Sequence, residues 1–266
     1  MMNAMPASNE FSQGLRVQGR VVGALVMREI ITRYGRHNIA FTWIFIEPML
    51  FTVGVVLLWT FLRSHATQLP LVPFTITGYA SVLLWRNTIN RCGNAVEPNR
   101  ALLHHRNVRV IDLYLARLIL EVAGASMSFM ALSALMMGVG LMAAPDDIFK
   151  MIIGWALLAW FAMSMGLVIG SISTISESFD RVWHVLTYLF LPLSGAFYMV
   201  DWIPKHLQAW ALVIPTVDCI ELLRSGYFGA HVHAHFDLPY TVAVNTVVTL
   251  VGLVLVKRLA RTVEGA

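Results

Sequence analysis

Apolar residues in this chain fall in long unbroken runs rather than in the alternating or one-in-three-to-four patterns of a soluble domain. Six runs stand out, at about 39–62, 71–90, 115–142, 149–172, 183–200 and 239–256. Each is close to the roughly 20 residues, at 1.5 Å per residue, that an α-helix needs to cross a hydrocarbon core. The pattern predicts an all-α membrane protein with six transmembrane helices. Residues 1–38 are polar and carry Arg16, Arg20, Arg28, Arg33 and Arg36. Within 15–35, Leu15, Val22, Val26 and Ile30 share one helical face, flanked by Arg16 and Arg20, with Arg28 opposite. That spacing predicts an N-terminal interfacial amphipathic helix lying on one leaflet, with Arg33 as a misfit inside its apolar face. An irregular basic tail is the alternative. The long apolar run starts only at Ile39, so a cleaved secretory leader is not expected.

The stretch 201–237 is too long for a turn and too broken for a span, with Pro204, Pro215 and Gly229. It is nonetheless aromatic, with Trp202, Trp210, Tyr227 and Phe228. Short re-entrant helices before the last span are expected, because irregular backbone at membrane depth survives only under a cover of protein or in a wet cavity.

Composition narrows the class. Of 266 residues, 58% are hydrophobic and 13% charged, and mean hydropathy is +0.68. Soluble domains sit near 45–50% and 25%. A disordered chain, a nucleic-acid-binding domain and an ordinary soluble enzyme are excluded, and no large extramembrane domain fits. The net charge of +4 matters through its placement. The N-terminal segment, the 91–112 loop (Arg91, Arg100, Arg106, Arg109) and the tail (Lys257, Arg258, Arg261) are basic. The opposite loops hold only Arg63, Lys150, Lys205 and Arg224, beside Asp146, Asp147, Asp201, Asp218, Glu221 and Asp237. By the excess of cations on the cytosolic side, both termini are cytosolic. Cys92 and Cys219 then fall on opposite sides, and no disulfide is expected. The lysines are Lys150, Lys205 and Lys257, and none precedes Ser or Thr. A phosphate loop of the form G-x-x-x-x-G-K-[ST] is therefore absent.

Polar residues inside spans cost about 2.5–3.5 kcal/mol when charged and face a partner or a wet path. In the first span Trp43, Glu47, Leu50, Gly54, Leu58 and Phe61 share a face. Pro48 should bend that helix, and Glu47 either answers the freed polarity, pairs with an arginine or stays among headgroups. Thr75, Tyr79, Arg86 and Asn90 make a polar stripe in the second span. Arg86 either snorkels to the interface or offers a cationic port to an anionic substrate. In the fifth span His184, Tyr188, Leu191, Gly195, Tyr198 and Trp202 align, either to slide along sugar faces or to pack on a partner span. His231, His233 and His235 form H-x-H-x-H, a weak metal signal without a Cys or carboxylate at set spacing. No nucleophilic triad and no paired intramembrane carboxylates stand out.

The run Met27–Gly35, Trp43 and Glu47-Pro48 resembles membrane subunits of the ABC-2 class of ATP-binding-cassette exporters. Asn87–Arg91, Asn94–Leu103, Val108, Ile111-Asp112 and Ala116-Arg117 are similar to the capsular polysaccharide export permeases of that class. Pro204, Trp210, Pro215, Glu221, Arg224 and Gly229 fit its external helices, and the likeness covers about 25–258. Trp85-Arg86 departs from the uncharged residues of that family. The resemblance implies a transmembrane domain at 39–258 between a cytosolic segment (1–38) and tail (259–266), in the bacterial inner membrane. It implies no cofactor in this chain, a homodimer, and two copies of a separate cytosolic ATPase that binds ATP and Mg. A periplasmic adaptor and an outer-membrane channel would continue the route of a lipid-linked acidic polysaccharide. The implied ATPase contacts are Glu97, Asn99, Arg100, Arg106 and Arg109, with Glu177, Asp180 and Arg181 as a second set. The implied path takes Trp43, Glu47, Thr75, Tyr79, Trp85, Arg86, Asn90, Arg91, Tyr188 and Tyr198, with Trp202, Trp210, Glu221 and Arg224 on the external helices. Another lipid-linked glycan (O-antigen or teichoic acid) or a small molecule such as a drug is the alternative cargo, and a membrane metalloenzyme using the histidines is the alternative class.

Overall fold

The computed structural model describes residues 7–34, 38–61, 69–103 and 108–264. Among them every regular element is a helix, and there is no strand. The helices are α1 (Ala7–Tyr34), α2 (Asn38–Phe61), α3 (Leu71–Cys92), α4 (Arg100–Leu103), α5 (Val110–Gly138), α6 (Ile148–Ile175), α7 (Glu177–Phe190), α8 (Lys205–Ala211), α9 (Pro215–Phe228) and α10 (Leu238–Glu264). Arg36, Arg63 and Arg106 lie outside the described residues.

Helix α6 is the axis, packed on α3, α9 and α10. Small residues let the backbones approach, the usual device where lipid removes the hydrophobic drive between helices. A side chain at Gly154 would run into the backbone of Cys219 and Leu223 on α9. Buried hydroxyls return their hydrogen bonds to the preceding turn, as in Thr77 to Pro73 O and Ser171 to Leu167 O, both within 2.8 Å. These two add no unpaired group to the apolar interior.

Two end clusters define the polarity of the bundle. At one end Cys92, Val96, Val110, Tyr114, Leu118 and Leu259 pack together, beside α1; this is the α1 end. At the other, Phe74, Phe129, Met142, Met199, Tyr227 and Phe228 form the α9 end. Cys92 and Cys219 are free thiols buried in separate elements.

Two boundaries differ from the sequence reading. The run 183–200 is not one helix. α7 stops at Phe190, where Pro192 removes a donor and Gly195 takes φ +83°, and the chain turns back toward α9. The third run occupies α5 and ends at Gly138, before Gly140 at φ +79°. Helix α2 continues unbroken through Pro48. By length and composition α5, α6 and α10 are each able to cross a membrane, and α8 with α9 makes a fourth candidate bent by 104°.

Candidate functional site

Helix α1 shows why Arg33 interrupts its apolar face. Its covered positions are Gln18, Val21, Val22, Leu25, Val26, Glu29, Ile30 and Arg33, and α1 packs on α5. Arg33 Nη1 donates to Glu121 Oε1 on α5 at 2.6 Å, with both side chains under a fifth exposed. Arg91 of α3 approaches the same oxygen at 3.8 Å and Glu47 of α2 at 3.9 Å. Arg117 pairs with Glu29 at 3.1 Å and donates to the Arg91 carbonyl at 2.7 Å. Gln18 donates to Asp112, and Arg28 to Asn99. One carboxylate therefore joins α1, α3 and, through Arg91, α2. The sequence reading missed Glu121 as well as Glu29 and Arg117. The signal was present: a lone carboxylate in the third apolar run needs a cation, and the misfit arginine on α1 supplies it.

The polar stripe of α3 divides. Thr75 and Trp85 are buried, whereas Tyr79, Arg86 and Asn90 are half-buried. The Arg86 guanidinium stands 4.4 Å from the centroid of the Tyr188 ring, so the stripes of α3 and α7 meet here. Asn90 Oδ1 accepts from Trp183 Nε1 at 3.0 Å and Thr187 Oγ1 at 3.2 Å. Its side chain ties α7 to α3. Trp85 lies in the core and borders an apolar cavity of about 240 Å³ with Trp183, Phe161 and Pro215. Trp43 and Tyr188 remain exposed.

Near the α1 end, Glu97 and Arg100 are exposed and pair at 3.3 Å. Asn99 between them turns inward, where it holds Arg28 and donates to Ala95 O at 2.9 Å. Arg109 is exposed at the start of α5, and its backbone N–H donates to Asp112 at 3.0 Å. Ser176 caps α7, leaving Glu177 and Arg181 exposed in a 3.2 Å pair. A side chain at Gly93 would strike Asp180, so the end of α3 and the start of α7 adjoin. Asp180, one of the second set that the family resemblance assigned to ATPase contact, therefore lies beside the end of α3, a few residues before Glu97 and Arg100 of the first set.

At the α9 end the polar residues are pins rather than a solvated rim. Arg224 is fully buried. It donates to the carbonyls of Gly195 (2.8 Å), Tyr198 (2.7 Å), Ala196 (2.5 Å) and Phe74 (3.3 Å), and its guanidinium lies 3.8 Å from the Phe74 ring centroid. Any side chain at Gly78 would occupy the space of Ala196 O and the guanidinium. One turn earlier, Glu221 accepts from the backbone N–H groups of Val200 and His235, each at 3.0 Å. Asp218 accepts from Asp237 N at 3.3 Å and Thr241 Oγ1 at 3.1 Å. One face of α9 therefore fastens the turn after α7 and the approach to α10. Tyr198 spends its hydroxyl on Leu193 O at 3.1 Å. Trp202 is partly exposed against Phe74, and Trp210 is exposed. Among the described residues no three His, Cys, Asp or Glu side chains gather into a metal-binding group, His231, His233 and His235 included.

Comparison with known proteins gives the site its context. A family model described as ABC-2 type transporter matches residues 20–228. The chain is 46% identical over 255 residues to the capsule polysaccharide export inner-membrane protein CtrC of Neisseria meningitidis serogroup B, covering 96% of both chains. To the capsule polysaccharide export inner-membrane protein BexB of Haemophilus influenzae it is 42% identical over 255 residues, again 96% of both. To the polysialic acid transport protein KpsM of Escherichia coli it is 26% identical over 252 residues, 91% of this chain and 94% of that one.

Proposed function

The chain belongs to the ABC-2 type transporter family, and from that premise we propose that it is the inner-membrane permease subunit of an exporter of lipid-linked acidic capsular polysaccharide. The observation that carries this reading is the end-to-end likeness to CtrC. The absence of a phosphate loop in the sequence supports a division of labour in which a separate ATPase supplies the energy. Two copies of the chain form the channel, two ATPases dock at the α1 end, and a periplasmic adaptor and outer-membrane channel complete the route. Six spans accommodate the fold: α2, α3, α5, α6, α7 with its following turn, and α10. α8 and α9 form the external re-entrant pair, and α1 lies along the cytosolic leaflet.

This orientation puts the cations of α1, α4 and the end of α10 in the cytosol, as the cytosolic excess of Lys and Arg requires. Reporter fusions or cysteine labelling at Ser12 and Thr262 should read inside, and at Ala234 outside. An opposite reading at either end means a missing or extra span.

The Glu97–Arg100 and Glu177–Arg181 pairs are too exposed to hold the fold together, since such pairs contribute about 0–1 kcal/mol. We take these exposed pairs as the ATPase contacts. Glu97→Arg should leave folding unchanged, reduce co-purification of the ATPase and remove surface capsule in cells complemented with the permease. Wild-type values for both overturn the coupling role, and failure of the unmodified chain to restore capsule in a permease-deficient capsulated strain overturns the cargo.

Arg86 beside Tyr188 is the cation through which an acidic polymer leaves the headgroup region. A charge there offsets part of the hydration that the anion loses. Arg86→Ala should lower surface polysaccharide per folded permease several-fold, and Arg86→Lys, which keeps the charge without the planar fork, should lower it less. Equal export by wild type and Arg86→Ala assigns the residue to the membrane interface.

A further inference from the structure

A cavity of about 570 Å³ lies between α5, α6 and α10, apart from the polar stripe of α3 and from the α9 pins. Its floor is Ala159 of α6, too small to fill the space, with Ala156 at its rim and Trp155 and Trp160 beside them. Both indoles are already satisfied: Trp155 donates to Ser126 at 2.8 Å and Trp160 to Thr249 at 2.9 Å. What they present to the cavity is apolar ring surface. Ser164, also on the wall, shares its hydroxyl with Thr249 at 2.7 Å. A slot lined this way has no polar group calling for water. It is open at the surface along Ala156 and Leu253.

Its length is informative. The α5 wall is Ile111, Leu115, Leu118 and Val122, which spans about 16 Å at 1.5 Å per residue. That is about half of a 30 Å hydrocarbon core, or one leaflet. Toward the α1 end, Lys257 follows one turn after the exposed rim residue Leu253 and Arg261 two turns after it, offset by about 40° and about 80° around the helix. Both are exposed and form no ion pair among the described residues.

An apolar slot one leaflet deep, with two exposed cations further along α10 toward the α1 end, fits one occupant by charge and by length. The geometry points to a binding site for an anionic phospholipid of the bilayer, an acyl chain in the slot and the phosphate on Lys257 and Arg261. A basic residue near the bilayer surface favours an anionic headgroup by about five-fold. A choline headgroup carries its own cation and gains none of this. The site does not depend on which polymer is exported.

The test uses the full-length chain with its ATPase, purified from cells that make no capsule, so that a retained lipid is a bilayer lipid and not a substrate anchor. Native mass spectrometry follows retention of added phosphatidylglycerol and of phosphatidylcholine with the same acyl chains. Phosphatidylglycerol should be retained at least about ten-fold over phosphatidylcholine. The double variant Lys257→Gln/Arg261→Gln should bring that preference down to about two-fold or less. Ala156→Phe, at an exposed position that need not disturb the core, should lower retention of both lipids with the melting temperature unchanged. Equal retention of the two lipids by the wild type, or undiminished retention in Ala156→Phe, overturns the site. Disulfide trapping between copies through Leu253→Cys in native membranes assigns the slot to an interface between permeases and likewise overturns it.

Discussion

Arg224→Leu is expected to abolish the ordered α9 end while leaving the long helices intact. The leucine preserves apolar volume but removes the donors that serve the carbonyls of Gly195, Ala196, Tyr198 and Phe74. Those carbonyls surround a fully buried arginine, and a buried polar group stripped of its partner costs about 1–3 kcal/mol. Part is recovered by local rearrangement, so a net loss of about 3–5 kcal/mol is expected. Arg224→Lys retains the charge but not the planar fork, and one ammonium cannot serve four acceptors spread over two segments. It should recover only a minor share. Gly78→Ala tests the same pocket from the other side, since the added methyl must displace Ala196 O or the guanidinium. The measurements are melting temperature in detergent and protease cleavage within 191–204. Wild-type stability of Arg224→Leu means the turn after α7 is held by apolar packing alone.

How much of this was legible in the sequence differs by region. The helices α2, α3, α6 and α10 lie close to the apolar runs, because each run is longer than any competing pattern and its ends carry charge or proline. The run 183–200 misled because α7 and the turn after it are equally apolar. Hydropathy carries no mark of where a helix stops, and the proline and glycine that stop it were outweighed by the aromatic residues around them. The polar stripe of α3 was visible by spacing, and its meeting with Tyr188 joins two faces found separately. That Asn90, Asn99 and Glu221 turn inward was not visible, since a polar side chain on a stripe looks the same whether it faces a path or a neighbouring backbone. Arg33 was visible as an anomaly in an apolar face. Its partner lay 88 residues away in another run, at a distance in sequence that no periodicity spans.

Glu121→Ala is expected to release α1 from the bundle and to cost about 3 kcal/mol, the lower end of what breaking a mostly buried ion pair costs. The loss comes less from the attraction removed than from the arginine left behind. Arg33 would keep its charge beside Val22, Val26 and Ile30 after losing its short contact to a mostly buried carboxylate, and a covered guanidinium deprived of such a partner is costly. Arg91 suffers less, because it is about two-fifths exposed and keeps Glu47 within 3.9 Å. The Arg117–Glu29 pair should survive as a partial hinge. The double variant Arg33→Met/Glu121→Leu distinguishes stability from specific charge, since replacing both ions by apolar groups of similar size is often neutral or stabilising. The double should therefore return close to the wild-type melting temperature, while Glu121→Ala alone should not. Hydrogen exchange over 18–33 should rise in the single variant and return to wild-type protection in the double. Equal exchange in all three proteins would show that α1 is held by its apolar face and by the Arg28–Asn99 and Gln18–Asp112 contacts, with the Arg33–Glu121 pair adding nothing.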